Sequence, residues 1–251
     1  TLCVLSVILV ATVVHARGEE PWFPFHPADV PATDSPINLR RLNEAFAGEH
    51  GVIAARDGQF IRSRDGRPVR FWAVNGPPHE LTGDDLRRCA RLLASSGVNL
   101  VRLHGAIFNE EGEPDLAKVR RAWDVVQAMK AEGIYTHLSV YFPLWFKPRP
   151  GLPWLKGYDG QRPPFAALLF NPEFQEKYRS WVQALLTTPD GPSGGKLVDE
   201  PAVFGLEIQN EDSFFFWTFD DRRSAARVVS NWLHKSGSPA ARDTSTFWLT
   251  M

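Results

Sequence analysis

Cysteine is nearly absent: the 251 residues hold two, Cys3 and Cys89. With Cys89 alone on an expected helix, neither a disulfide framework nor a zinc site can be built. An excess of charge of either sign is also missing, since 28 Lys and Arg face 29 Asp and Glu for a formal net charge of -1. A polyelectrolyte surface is therefore excluded, and no nucleic-acid partner is expected. The apolar run Leu2 to Val14 falls short of the ~20 residues of a membrane span, so an anchoring helix is disfavoured. It suits a signal-peptide h-region, and Val14, His15 and Ala16 have the small-residue spacing of a cleavage site. Residues 1–16 are thus expected to be part of a signal peptide that takes Cys3 with it. No initiator Met or basic n-region precedes this run, so the chain is expected to begin inside a precursor. The product would be secreted, extracellular or periplasmic, with no membrane attachment after processing.

Aromatics are abundant instead, with 17 Phe and 9 Trp. Many lie in Pro/Gly-rich segments, where exposed aromatic platforms are plausible. Residues 17–68 read as an extended segment followed by a small β-meander. Glu20 to Pro36 is rich in Pro, Trp, Phe and His without period, and Asp57-Gly58 and Asp65-Gly66 supply tight-turn chemistry between short β-prone stretches.

From residue 69 to 237 a strand–helix rhythm follows. Strands are expected at Val69 to Asn75, Val98 to His104, Ile134 to Tyr141 and Ala202 to Asp212. Helices are expected after Thr82, with Asp85 three residues on and an apolar face of Leu86, Cys89 or Ala90, and Leu93. A second spans Pro114 to Glu132, with Leu116, Val119, Trp123, Val126 and Met129 on one side. A third opens at Asn171-Pro172-Glu173, with Phe174, Tyr178, Trp181 and Leu185 as its stripe. Gly97 and Gly133 stop the first two. Ala225 to Leu233 suits a fourth helix. Residues 238–251 show no strand pattern and read as an irregular tail, of the kind that truncation or a shifted frame leaves.

Such alternation implies right-handed βαβ units and a parallel sheet, in either a doubly wound sheet or a (β/α)8 barrel. The turn Val74-Asn75-Gly76-Pro77-Pro78 is too stiff to cradle a pyrophosphate, and every strand ends in polar residues, as barrel enzymes require. The expected fold is an α/β (β/α)8 barrel. A barrel takes about 250 residues, so four units starting near residue 69 amount to about half of one. An isolated half would leave open edges and is expected to be unstable or self-associating.

The polar strand ends are Asn75, Arg102 with His104, Tyr141, and Asn210 with Glu211. Read as continuous strand, Glu207 and Glu211 share a face ~13 Å apart. Paired-carboxylate glycosidases require ~5 to 9.5 Å, so Glu207 is not the partner of Glu211 and is expected to pair with Arg102. The second carboxylate is expected beyond Met251. A metal site from His104, His137 and Glu211 is disfavoured because His137 would lie too deep. No metal and no cofactor is expected.

The combination FWAVN, VNLVRLH and GLEIQNED, preceded by the meander, resembles the cellulase-type family 5 glycoside hydrolases and related (β/α)8 retaining glycosidases over roughly Pro21 to Asp220. The resemblance implies Glu211 as acid/base, Asn210 on the sugar 2-hydroxyl, and Arg102 beside a nucleophilic Glu on a seventh strand. Family members often carry His where Tyr141 stands. Asn75, His104, Tyr141, Trp145, Trp154 and Trp217 complete the expected substrate contacts, with Phe146, Tyr158 and Phe214 to Phe216 among the cleft walls. The expected activity is hydrolysis of a β-linked polysaccharide or oligosaccharide; the alternative is a non-catalytic carbohydrate-binding half-barrel.

Overall fold

The structure, a computed structural model, describes residues 31–161, 163–189 and 194–212. The expected signal segment 1–16, Phe214 to Phe216, Trp217, the helix at Ala225 to Leu233 and the tail 238–251 lie outside these residues.

A three-stranded antiparallel meander comes first, in the order β1 (Ile53–Arg56), β2 (Gln59–Arg62) and β3 (Pro68–Val69). Asp57 and Gly58 both take positive φ, at 50° and 72°, which is the turn geometry that Asp-Gly favours. Four parallel strands follow, in the order β4 (Ala73–Asn75), β5 (Leu100–His104), β6 (Tyr135–Ser139) and β7 (Val203–Glu207). The crossovers are α1 (Gly83–Ser95), α2 (Leu116–Lys130), and the long third connection with α3 (Ala167–Phe170) and α4 (Pro172–Thr187). This is the expected α/β architecture, a sheet of barrel type with its helices packed on one face.

Alternation along the strands divides core from site. On β5, Val101 faces outward into a cluster with Leu86, Ala90 and Ala94 of α1, Val125 and Met129 of α2, and Ile134. A larger cluster joins Val119, Trp123 and Val126 of α2 to Phe174, Trp181 and Leu185 of α4. Trp181 is fully buried, stacks on Phe108 at 3.8 Å and donates its indole N–H to Gly112 O at 2.8 Å. Leu116 departs from the expected stripe and is exposed, because α2 begins at that residue.

The meander closes the end of the sheet where the strands begin. Phe60 of β2 meets Phe204 of β7 edge-on at 5.1 Å, and Phe71 meets Tyr135, the first residue of β6, at 5.9 Å. Edge-to-face contacts between rings add to the area they bury.

Three boundaries differ from expectation. The stretch Val69 to Asn75 is divided: Val69 pairs with Phe60 in the meander, and the Asn99 side chain holds Arg70 O and Trp72 N at 2.9 and 2.8 Å, replacing a strand partner there. Thr82 precedes α1 but makes no side-chain cap bond, whereas Asp115 and Asn171 cap α2 and α4 as acceptors. The last strand ends at Glu207 rather than running on to Asp212.

Helix ends follow the glycines. Gly133 has φ 68°, and a Cβ there would lie 2.2 Å from Glu44 O, so both the backbone and the neighbour require glycine.

Candidate active site

The parallel register places Asn75 beside Arg102, Arg102 beside His137, and His104 beside Ser139, with Glu207 next in line on β7. These side chains occupy the sheet face opposite the helices, and the outermost of them sit where the strands end. The order of the strands thus brings together residues 75, 102, 104, 139 and 207.

Arg102 is the hub. Its Nη2 donates to Glu207 Oε2 at 2.5 Å and its Nε to the same oxygen at 3.0 Å. Nη2 also donates to Ser139 Oγ at 3.1 Å, and Nη1 lies 3.4 Å from Asn75 Oδ1. The pairing of Arg102 with Glu207 is the one expected from sequence. Burial pushes the Glu207 carboxyl up, but the Ser139 hydroxyl and the Arg102 guanidinium outweigh it and hold the group below its usual range.

His104 Nδ1 lies 2.7 Å from Ser139 Oγ, so Ser139 couples the imidazole to the guanidinium. Burial and the nearby Arg102 charge both lower the His104 pKa, which keeps the ring neutral at neutral pH. Over it sits Trp145, with ring centroids 4.4 Å apart and the indole 57% exposed. Phe142 meets both rings, His104 at 5.6 Å and Trp145 at 5.1 Å. A half-buried imidazole carrying an exposed indole offers a flat apolar face next to hydrogen-bonding groups.

After β7 the chain turns. The Tyr178 hydroxyl donates to Ile208 O, and Asn210 N–H donates to Tyr141 O at 3.3 Å. The Tyr178 hydroxyl thus takes the carbonyl of the first residue beyond β7, while Asn210 keeps a backbone bond to the chain just beyond β6. Glu211 then adopts φ 48° and is exposed, and the distance drawn from continuous strand geometry no longer applies to it. Asp212 turns inward and is 2% exposed.

Two expected contacts are placed elsewhere. Tyr141 follows β6 and is buried among Phe146, Phe174, Tyr178 and Trp181. Trp154 is buried against Phe146 and Phe174 and donates to Glu111 O at 3.2 Å. Both belong to the core under the rim, because α4 brings its aromatic stripe up behind the sheet. Phe146 and Tyr158 are buried as well. His137 lies two residues before Ser139 on β6, level with Arg102, and burial lowers its pKa as well.

Ser139 and Asp212 escaped the sequence reading. Ser139 was findable from alternation, two residues before Tyr141 on the inward face. Asp212 carried no local sign, since nothing in NED says which carboxylate turns inward.

Among the described residues no group of three or more His, Cys, Asp or Glu could hold a metal ion, and no helix is long and apolar enough to cross a membrane.

Comparison with known proteins adds little at the level of sequence: no protein-family model and no curated protein matches the chain. Solved structures do align with it. An endo-1,4-beta-mannanase from Rhizomucor miehei does so with a TM-score of 0.47 and 16% identity, over 73% of this chain and 55% of that one. The exo-beta-1,4-mannosidase Op5Man5 from Opitutaceae bacterium strain TAV5 does so with a TM-score of 0.46 and 20% identity, over 76% of this chain and 33% of that one. The chain therefore spans about half and a third of these structures. Likeness at this level assigns neither substrate nor residue roles.

Proposed function

We propose that the chain forms part of a secreted, retaining glycoside hydrolase that acts on a β-linked polysaccharide or oligosaccharide, with Glu211 as its acid/base. The reading rests on one observation: the turn bearing Asn210 and Glu211 follows directly from the strand whose last residue, Glu207, is gripped by Arg102. In a parallel sheet the carboxyl ends of the strands are where such sites assemble.

In this reading Glu211 protonates the departing glycosidic oxygen and later takes a proton from water. Its exposure means that bound sugar must help exclude water around it. Asn210 meets the 2-hydroxyl. Arg102, fixed by Glu207, lends positive charge to the floor of the cleft, while His104 and Trp145 supply a hydrogen-bonding edge and an apolar face for a pyranose ring. Glu207 is not assigned as nucleophile, because Arg102 and Ser139 already engage it. No metal or cofactor has a part in this chemistry.

The test is hydrolysis of a panel of β-glycans and aryl β-glycosides by the product of the full reading frame containing this chain, with Glu211→Gln beside it. Proton NMR of the first-formed anomer reads retention. Equal turnover by wild type and Glu211→Gln would sink the assignment. Tight glycan binding without turnover by either protein would favour the carbohydrate-binding alternative, for which the exposed Trp145 on His104 is the supporting feature.

A further inference from the structure

Asp212 is buried at 2% exposure, and it forms no ion pair among the described residues. Its Oδ1 accepts the Ala166 backbone N–H at 2.5 Å, and its Oδ2 accepts from Gln209 Nε2 at 2.7 Å. Ala166 belongs to the long third connection, immediately before α3, and takes the left-handed φ of 56°. Gln209 and Asp212 lie on either side of Asn210 and Glu211. The carboxylate therefore ties the two ends of the turn to each other and the turn itself to a separate segment of chain. Burying a carboxylate is unfavourable, and packing alone would be served as well by an apolar side chain. What only a double acceptor at this position provides is simultaneous grip on two N–H donors.

We propose that Asp212 is a positioning residue: its bonds to Ala166 and Gln209 fix the turn that presents Asn210 and Glu211, so that breaking this clasp misplaces Glu211. The kinetic part rests on the glycosidase reading above; the clasp itself rests on geometry alone.

The same geometry makes the clasp sensitive to protons. A protonated carboxyl loses its charge and carries an O–H on one oxygen, which makes it a weaker acceptor for the two N–H donors. Burial raises the Asp212 pKa to about 6, against the pull of the Ala166 amide, the Gln209 side chain and the Tyr141 hydroxyl. The titratable groups around it are Tyr141 behind the turn, Tyr178 of α4 bonded to Ile208 O, Tyr158 beside Tyr141, and the exposed neighbour Glu211. Tyr141 Oη is buried and, short of ordinary hydrogen-bond geometry, reaches the carboxylate through space.

Two readouts test this on the protein expressed from its full reading frame. The first is hydrogen–deuterium exchange of the peptide containing the Ala166 amide, at pH 7.5 and pH 5 and corrected for intrinsic rate. Wild type is expected to be protected at pH 7.5 and about tenfold less protected at pH 5, a change on the scale of one hydrogen bond. In Asp212→Asn the step with pH disappears. The second is kcat and KM on an aryl β-glycoside from pH 4.5 to 8. Asp212→Asn should lower kcat about tenfold with KM changed less than twofold, as expected when a catalytic group is mispositioned, and the acid limb near pH 6 should flatten. If Asp212→Asn does not fold, Gln209→Ala carries the same test, because it removes one donor and leaves the carboxylate. Wild-type exchange at Ala166 in the variants, or a wild-type kcat and pH profile, would overturn the proposal. If Glu211→Gln retains full turnover the glycosidase reading fails separately, and exchange at Ala166 alone decides the clasp.

Discussion

Arg102 Nη2 stands 2.5 Å from Glu207 Oε2, a contact between β5 and β7 that passes over β6, where Ser139 takes a further bond from the same guanidinium. One side chain thereby ties three adjacent strand ends into a rigid floor. The side chains are 24% and 27% exposed, between the surface regime where ion pairs contribute little and the buried regime where breaking one is severe.

Removing one partner is therefore expected to destabilise by about 1–3 kcal/mol, below the full cost of orphaning a buried charge. Because the Glu207 pKa is depressed in the folded state, its contribution is present above the unfolded carboxyl pKa and lost as pH falls through the folded value. Urea unfolding of wild type and Glu207→Gln at pH 7 and at pH 3.5 checks this: the gap should be wide at pH 7 and narrow at pH 3.5.

Asp212 gives the opposite slope. Its folded pKa of about 6 lies above the ordinary aspartate value of 3.8, so the folded state holds its proton longer and stability falls as pH rises between these values. Two pKa units correspond to about 3 kcal/mol. Asp212→Asn should remove this part of the pH dependence, while Glu207→Gln should leave it in place.

Glu211 is a non-glycine residue at φ 48°, a conformation that costs roughly 1–2 kcal/mol. Glu211→Gly should raise stability by about 1 kcal/mol, while Glu211→Gln leaves stability unchanged and lowers turnover by about 10²–10⁴-fold. Thermal unfolding beside an aryl-glycoside assay reads both.

The two tryptophans of the long connection should respond in opposite ways. Trp154 is 8% exposed and Trp145 57%. Trp154→Ala should cost about 3–5 kcal/mol of stability, with little specific effect on sugar. Trp145→Ala should barely change stability but raise KM or the glycan dissociation constant by about tenfold, using a loss near 1–1.5 kcal/mol for an aromatic face. Titration calorimetry with an oligosaccharide and chemical denaturation separate the cases.

Much of this was legible in the chain. The cap at Asn171, the stops at Gly97 and Gly133 and the alternation along VNLVRLH identify the βα units, because each is a local matter of a few dihedrals and one apolar face. The Arg102–Glu207 pair was also within reach, since both residues sit on inward positions of a buried sheet and neither charge could stay alone.

Other features depend on what another part of the chain does. Thr82 looks like a cap and makes no cap bond. Tyr141 looks like a strand end open to substrate and is buried, because α4 packs its aromatics behind it.

The stretch AVFGLEIQNED shows the division most plainly. Its apolar run and polar end determined that a half-buried strand ends in polar residues. Where it ends is marked by Tyr178 of α4, whose hydroxyl takes Ile208 O directly after Glu207. Which carboxylate faces out and which faces in was decided by Ala166, 46 residues earlier, whose free N–H draws Asp212 into the interior and leaves Glu211 outside. Periodicity belongs to the chain; the destination of each backbone donor and acceptor belongs to whatever the fold brings beside it.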